Sequence, residues 1–434
     1  MNPVQAGIIG VVILIVILFS KFPVAFCMAL VGLVGFGYLV SPHAALNIIA
    51  KDFYSVFSSY DLTVVPLFVF MGQILFYAGI SRKLYDAAHA WLGQYKGGLA
   101  MATVGACACF SAICGSTNAT AATMATVALP EMKRFKYSDE LATGVVAAGG
   151  SLGILIPPSV IFIVYGIMTA QSIGKLFIAG IMPGILLSVL FILTIYIWVS
   201  INPQMAPRVE KQNFKTKIRS LSGLIEVIIL FVVVMGGLFI GIFTPTEAGA
   251  VGALGGVVIP LMRRRLTWQG FLTAIYSSTL TTCMIFMIVA GATVFGHFLA
   301  VTTIPSVLSA WVVSLPLPHW AIMLVVMFFF FIGGCFMDAL GMILLTIPIF
   351  FPVAVALGYD PIWFGVVIVL VTELGVITPP VGINVYVVSG IAKDVPLEKI
   401  FKGAFPFVLT LLAYLVTMIF FPQIALYLPS FAAY

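Results

Sequence analysis

Charge is what this chain has least of. Only 8% of its 434 residues are Asp, Glu, Lys or Arg, against roughly 25% in a soluble domain. That excludes an ordinary water-soluble globule. With 62% hydrophobic residues and a mean hydropathy of +1.21, the chain reads as an all-α polytopic membrane protein. Metal and redox signatures are missing too. Cys27, Cys107, Cys109, Cys114, Cys283 and Cys335 lie in apolar runs, with no CxxC or zinc spacing, so they read as small membrane-core residues. His43, His89, His297 and His319 are too scattered to form a cluster. No P-loop is present, so the chain does not itself hydrolyse ATP. The net charge of +6 reads as membrane-orienting Lys and Arg, and no nucleic-acid partner is expected. The first apolar run, Ile8 to Phe19, lacks a basic leader and a small-residue cleavage site, and reads as a retained helix.

What is present is one phrase, written twice. Gly153-Ile154-Leu155-Ile156-Pro157-Pro158 returns as Gly375-Val376-Ile377-Thr378-Pro379-Pro380, an offset of 375 − 153 = 222 positions. Each copy sits inside an apolar run long enough to cross a bilayer. Paired prolines remove two donors and clash with the preceding turn, so a helix cannot pass through unbroken. Broken helices at membrane depth survive only where protein buries them or they line a cavity. In secondary transporters such breaks come in pairs. The same offset carries Pro23 to Pro245, Pro130 to Pro352, Tyr137 to Tyr359 and Ser116 to Asp338. The chain therefore reads as two copies of one unit, 1–200 and 222–434, joined by a cytoplasmic basic linker at 201–221 with Arg208, Lys211, Lys215, Lys217 and Arg219.

Each unit also holds a pair of apolar arms around a polar or glycine-rich tip. The arms at 98–113 and 119–132 flank Gly115-Ser116-Thr117-Asn118, and those at 320–332 and 339–352 flank Gly333 to Asp338. Arms shorter than about 20 residues do not span, so hairpins at 98–132 and 320–352 are predicted to be re-entrant. Broken helices follow at 138–170 and 361–392. Lys133, Arg134 and Lys136 sit at the base of the first hairpin, whereas no Lys or Arg occurs between Arg265 and Lys393. The positive-inside rule then brings the hairpins in from opposite faces, with both termini outside and the units inverted. Amphipathic segments at 84–96 and 302–318, carrying Trp91 and Trp311, with Trp320 just beyond, read as interfacial arms.

Tips and breaks concentrate hydroxyls, free carbonyls and one carboxylate, a hard-oxygen set suited to a monovalent cation. Asp338 is the strongest ion-site candidate. Glu247 reads as a first-turn acid on a helix capped by Thr244. Glu373 ends a half-helix, where its charge opposes the dipole and a cation or donor would offset it. No buried Arg or Lys awaits an anionic substrate, so an anion would rest on helix N-termini, Ser, Thr and Asn groups, and bound cations. A serine hydrolase built on Ser116 would need a histidine beside it. None of the four lies in a hairpin or break.

The phrases GSTNATA (115–121), PEM (130–132), AAGGSLGILIPPS (147–159), LFIAGIMPG (176–184), GIFTPTEAGAVGA (241–253) and ELGVITPPVGIN (373–384) together resemble the large membrane subunit of tripartite ATP-independent periplasmic (TRAP) transporters. The resemblance covers essentially the whole chain. It implies an inverted-repeat, elevator-type transporter of the bacterial inner membrane, driven by sodium and carrying mostly organic acids. It also implies two partners, a small four-helix membrane subunit and a soluble periplasmic binding protein. Because the chain begins directly with the large unit, the small subunit is expected as a separate chain. Carried over by motif, one sodium site falls on Ser116, Gly153, Ile156 and Pro158, and a second on Gly334, Asp338, Gly375 and Thr378, for two or more Na⁺ per cycle. Substrate is expected near Thr117, Asn118, Ser159 and Asn384. The first tip departs from the family where Cys114 and Asn118 replace further serines. The competing expectation is a stand-alone symporter or antiporter of the same superfamily.

Overall fold

The computed structural model describes residues 2–20, 22–207 and 213–432, and is helical throughout the described residues. The first half runs α1 (Pro3–Phe19), α2 (Val24–Leu39), α3 (Pro42–Phe57), α4 (Val64–Tyr77), α5 (Ile80–Leu92), α6 (Gly98–Cys114), α7 (Thr117–Arg134), α8 (Asp139–Ser151), α9 (Val160–Thr169) and α10 (Ile173–Ile201). The second runs α11 (Phe214–Phe239), α12 (Pro245–Met262), α13 (Trp268–Thr302), α14 (Ile304–Val313), α15 (His319–Phe336), α16 (Ala339–Ala356), α17 (Pro361–Val376), α18 (Ile383–Ile391) and α19 (Leu397–Phe420). Helix starts carry the caps their sequences offer. Ser116, Ser138, Ser159 and Ser172 each accept from a backbone N–H of the first turn. Thr244 and Glu247 close a capping box, the structural role read for Glu247.

The 222-residue offset recurs in the element boundaries. Helix α7 at 117–134 answers to α16 at 339–356, and the interrupted pair α8–α9 answers to α17–α18. The Pro157-Pro158 and Pro379-Pro380 peptides are cis in both copies. One pair of elements differs. Helices α3 and α4 are bent by 53° at residues 58–60, while their counterpart α13 runs unbroken for 35 residues. Pro66 lies in the first turn of α4, where the missing backbone donor costs least, and its counterpart is Ile288, in the interior of α13. The stretch read as a linker at 201–221 is also shorter than expected. Helix α11 begins at Phe214, so Lys215 and Lys217 are already helical. Arg208 and Lys211 lie outside the described residues.

Packing sorts the helices into two groups. Helices α1 to α4 and α11 to α13 pack on one another, chiefly α2 on α13 and α4 on α12 and α13. Helices α6 to α10 and α15 to α19 form the other group, with α7 on α8, α15 on α17 and α8 on α19. The amphipathic arms link the two. Helix α5 touches α6 and α11, and α14 touches α16 and α13. Ile8, Val12, Val232, Leu280 and Leu409 stand exposed on the outside, a composition that a bilayer tolerates and water does not.

Charged residues tie one end of the bundle together. Buried Glu226 of α11 receives Arg263 at 3.2 Å and Arg265 at 2.8 Å. Lys133 pairs with Asp394, joining the end of α7 to the segment after α18. Lys217 lies over the ring of Trp91, whose indole donates to the Lys217 carbonyl.

Helix α8 crosses α19 where Gly144 meets Gly403, and a Cβ on Gly403 would overlap the Glu140 carbonyl. No side chain can yield there, because the obstacle is backbone. Gly403→Val should therefore destabilise the fold by about 1–3 kcal/mol. The measurement is the thermal unfolding midpoint in detergent, and an unchanged midpoint would contradict the contact.

Candidate functional site

Each hairpin tip is pressed against a helix break, and glycine makes both contacts possible. At the first, the Cα of Gly153 abuts the Ser116 carbonyl, and a Cβ there would lie 2.9 Å from Thr120 Oγ1. Gly115, at φ +64°, turns the chain between α6 and α7 and backs onto the Pro158 carbonyl, which a Cβ would meet at 2.7 Å. At the second, a Cβ on Gly375 would come within 2.7 Å of Gly334 Cα, and the Gly382 N–H donates to the Cys335 carbonyl at 3.4 Å. The paired prolines remove two backbone donors from the helical ladder at each break, the arrangement on which ion sites at interrupted helices are built.

Of the first expected sodium set, Ser116, Gly153 and Pro158 meet at the tip–break contact. Ile156 lies on the same break, with its side chain against Gly184. Of the second set, Gly334 and Gly375 touch. Thr378 belongs to the same break, its N–H donating to the Gly375 carbonyl at 3.0 Å and its hydroxyl to the Leu374 carbonyl at 2.6 Å. Asp338 caps α16, accepting from Leu340 N–H at 3.1 Å. It turns toward the other tip, where Asn118 lies against its carboxylate.

The tips thus converge on one cavity of about 300 Å³. Its polar lining is Ser116, Thr117, Asn118 and Asp338 from the tips, with Gln73 of α4 and Thr281 of α13 facing them. Lys and Arg are absent from this lining. Thr117 and Asn118, two of the four residues expected near substrate, line this cavity. Ser159 and Asn384 are fully buried and outside the lining, Ser159 as the cap of α9 and Asn384 donating to the Ala147 carbonyl of α8. Glu373 is fully buried, and neither carboxylate oxygen finds a hydrogen-bond partner among the described residues. Sequence reading missed Gln73 and Thr281. Their only signals were a lone amide in an apolar run and a hydroxyl in the Ser277–Thr282 cluster.

The fold resembles that of the Alcanivorax borkumensis YdaH transporter, with a TM-score of 0.67 over 88% of this chain and 89% of that one at 14% identity. It also resembles Neisseria gonorrhoeae MtrF, with a TM-score of 0.56 over 97% and 95% at 13% identity. In sequence, the chain is 38% identical over 395 residues to the C4-dicarboxylate TRAP transporter large permease protein DctM of Pseudomonas aeruginosa, covering 90% of this chain and 91% of that protein. It is 31% identical to the sialic acid TRAP transporter large permease protein SiaM of Vibrio cholerae, covering 95% and 96%. The family described as "Tripartite ATP-independent periplasmic transporter, DctM component" matches residues 11–424. A multi-pass helical bundle with broken helices, a cavity between two tips and that match over nearly its whole length place the chain in the DctM family, the large permease subunits of TRAP transporters, which transport and are not enzymes.

Proposed function

We propose that this chain imports a small organic acid across the bacterial inner membrane, driven by sodium, with the substrate handed over by a periplasmic binding protein. The carrying observation is the cavity where the two tips meet, which holds one carboxylate and no fixed cation in its lining. An anionic substrate there needs co-bound cations to offset Asp338. Ser116, Gly153, Ile156 and Pro158 would hold one Na⁺, and Gly334, Asp338, Gly375 and Thr378 another. Thr117 and Asn118 would face the substrate. Relatives named for C4-dicarboxylates, sialic acid and 2,3-diketo-L-gulonate support an organic acid.

The two packing groups suit an elevator. Helices α6 to α10 and α15 to α19 would move as the transport domain against α1 to α4 and α11 to α13, with α5 and α14 as the arms between them. The hairpins α6–α7 and α15–α16 would be re-entrant from opposite faces, making 1–200 and 222–434 inverted repeats. The basic end, with Lys133, Arg263 and Arg265, would be cytoplasmic and both termini periplasmic. A family described as tripartite supports two partner proteins over a stand-alone carrier. A relative in Oleidesulfovibrio alaskensis named as a DctMQ permease supports a small membrane subunit as one of them.

Dependence on the binding protein is the test. Proteoliposomes holding this chain and its small subunit should take up micromolar substrate only when the cognate binding protein is added outside. Robust uptake of free substrate without it would contradict the proposal.

A further inference from the structure

We infer that Gln73 and Thr281 form a stationary half of the substrate site, so that the scaffold helices as well as the tips read the substrate. The inference rests on the proposal that the cavity between the tips carries substrate. Its basis is how α4 and α13 face that cavity. Val69 and Gln73 are four residues apart on α4, and Thr281, Met284 and Ile285 are spaced by three and four on α13, so each helix turns one face to the cavity. That face is apolar except for Gln73 and Thr281.

The position of Gln73 is held from two sides. On one, Gly72 lets α4 close on the end of α6, where a Cβ would come 2.8 Å from the Ile113 carbonyl and 3.1 Å from Cys114 Cα. On the other, Gly252 and Gly256 of α12 pack against Met71. These contacts fix the stretch of α4 from which the Gln73 side chain reaches the cavity.

The chemistry separates the two halves of the cavity. Asp338 is acceptor-only when ionised, and Asn118 already lies against it. The Thr117 hydroxyl donates to Asn118 Oδ1 at 3.4 Å. The side-chain amide of Gln73 makes no hydrogen bond with another described residue, so its two N–H donors remain for a carboxylate oxygen. The Thr281 hydroxyl donates to the Ser277 carbonyl at 2.9 Å, which leaves its lone pairs to accept from a substrate hydroxyl or N–H. The fitting substrate is a small acid with a second, hydrogen-donating group.

The test uses proteoliposomes with this chain, its small subunit and the cognate binding protein. Radiolabelled malate, N-acetylneuraminate and 2,3-diketogulonate are offered, and the acid that the unaltered protein accumulates becomes the probe. Gln73→Leu removes the donors and should raise the KM for that acid about tenfold or more, since a hydrogen bond to a charged group is lost. Gln73→Glu should raise it further by repelling the carboxylate. Thr281→Val should raise it about threefold or more. Apparent sodium affinity should stay unchanged in the two neutral variants, Gln73→Leu and Thr281→Val, and co-purification with the small subunit in all three, which separates a lost substrate contact from misfolding. Asn118→Leu serves as the tip control. If it raises the KM while the Gln73 and Thr281 variants do not, this inference falls and the tip cavity stands. If none of these variants moves the KM, the cavity reading falls with it.

Discussion

Replacing Asp338 by Asn is expected to abolish concentrative uptake while leaving the fold intact. Asn caps a helix about as well as Asp, so the bond from Leu340 N–H is retained. What disappears is the one charge in the cavity lining. With Na⁺ bound, the proposed second site is neutral and its tip can cross the membrane. Without Na⁺ the tip carries a bare carboxylate, at a cost of about 2.5–3.5 kcal/mol on insertion scales. That asymmetry would couple movement to sodium, because an empty carrier is held back. Loss of one partner costs about 3–5 kcal/mol in a fully buried pair, and the low end, about 3 kcal/mol, is expected at half-buried Asp338. Apparent sodium affinity should therefore fall about 100-fold or more. Sodium titration of uptake in proteoliposomes reads this directly. An Asn variant with unchanged sodium affinity and accumulation would remove Asp338 from the ion site.

Gly153→Val should be nearly as damaging, by a steric route. The Ser116 carbonyl and Thr120 Oγ1 already fill the place a side chain would take. The backbone of the first tip must move away from the break, and the proposed first sodium site opens. Uptake should fall to roughly a tenth or less of the unaltered rate, for about 1–3 kcal/mol of overpacking. Gly390, on α18, has nothing within 4 Å of where its Cβ would be. Gly390→Ala is thus the matched control and should transport normally. Equal rates for the Gly153→Val variant and this control would show that the tip–break contact is dispensable.

Hairpins, breaks and their repetition were legible because proline and glycine act locally. Pro157-Pro158 stops α8–α9 whatever surrounds it, and Gly115 turns between α6 and α7 by its own φ. The bend between α3 and α4 was less legible. It depends on Pro66 standing where the second unit has Ile288, and on a counterpart helix that runs straight. Ser159 and Asn384 show a different limit. Both belong to the motif phrases, yet one hydroxyl is used as a helix cap and one amide bonds to the Ala147 carbonyl. Sequence spacing cannot tell a side chain facing a cavity from one satisfying nearby backbone. Gln73 and Thr281 were missed because they come from helices far along the chain from the tips they face. Only the packing of α4 and α13 brings them there.

The most direct measurement of sodium-coupled, partner-dependent import is uptake by the complete three-component system in proteoliposomes under a single imposed gradient. An inward sodium gradient, with no proton gradient, should drive accumulation above the outside concentration when the binding protein is present. A proton gradient of equal size without sodium should drive none. Accumulation on the proton gradient alone, or equal uptake with and without sodium, would contradict sodium coupling through the two hairpin tips.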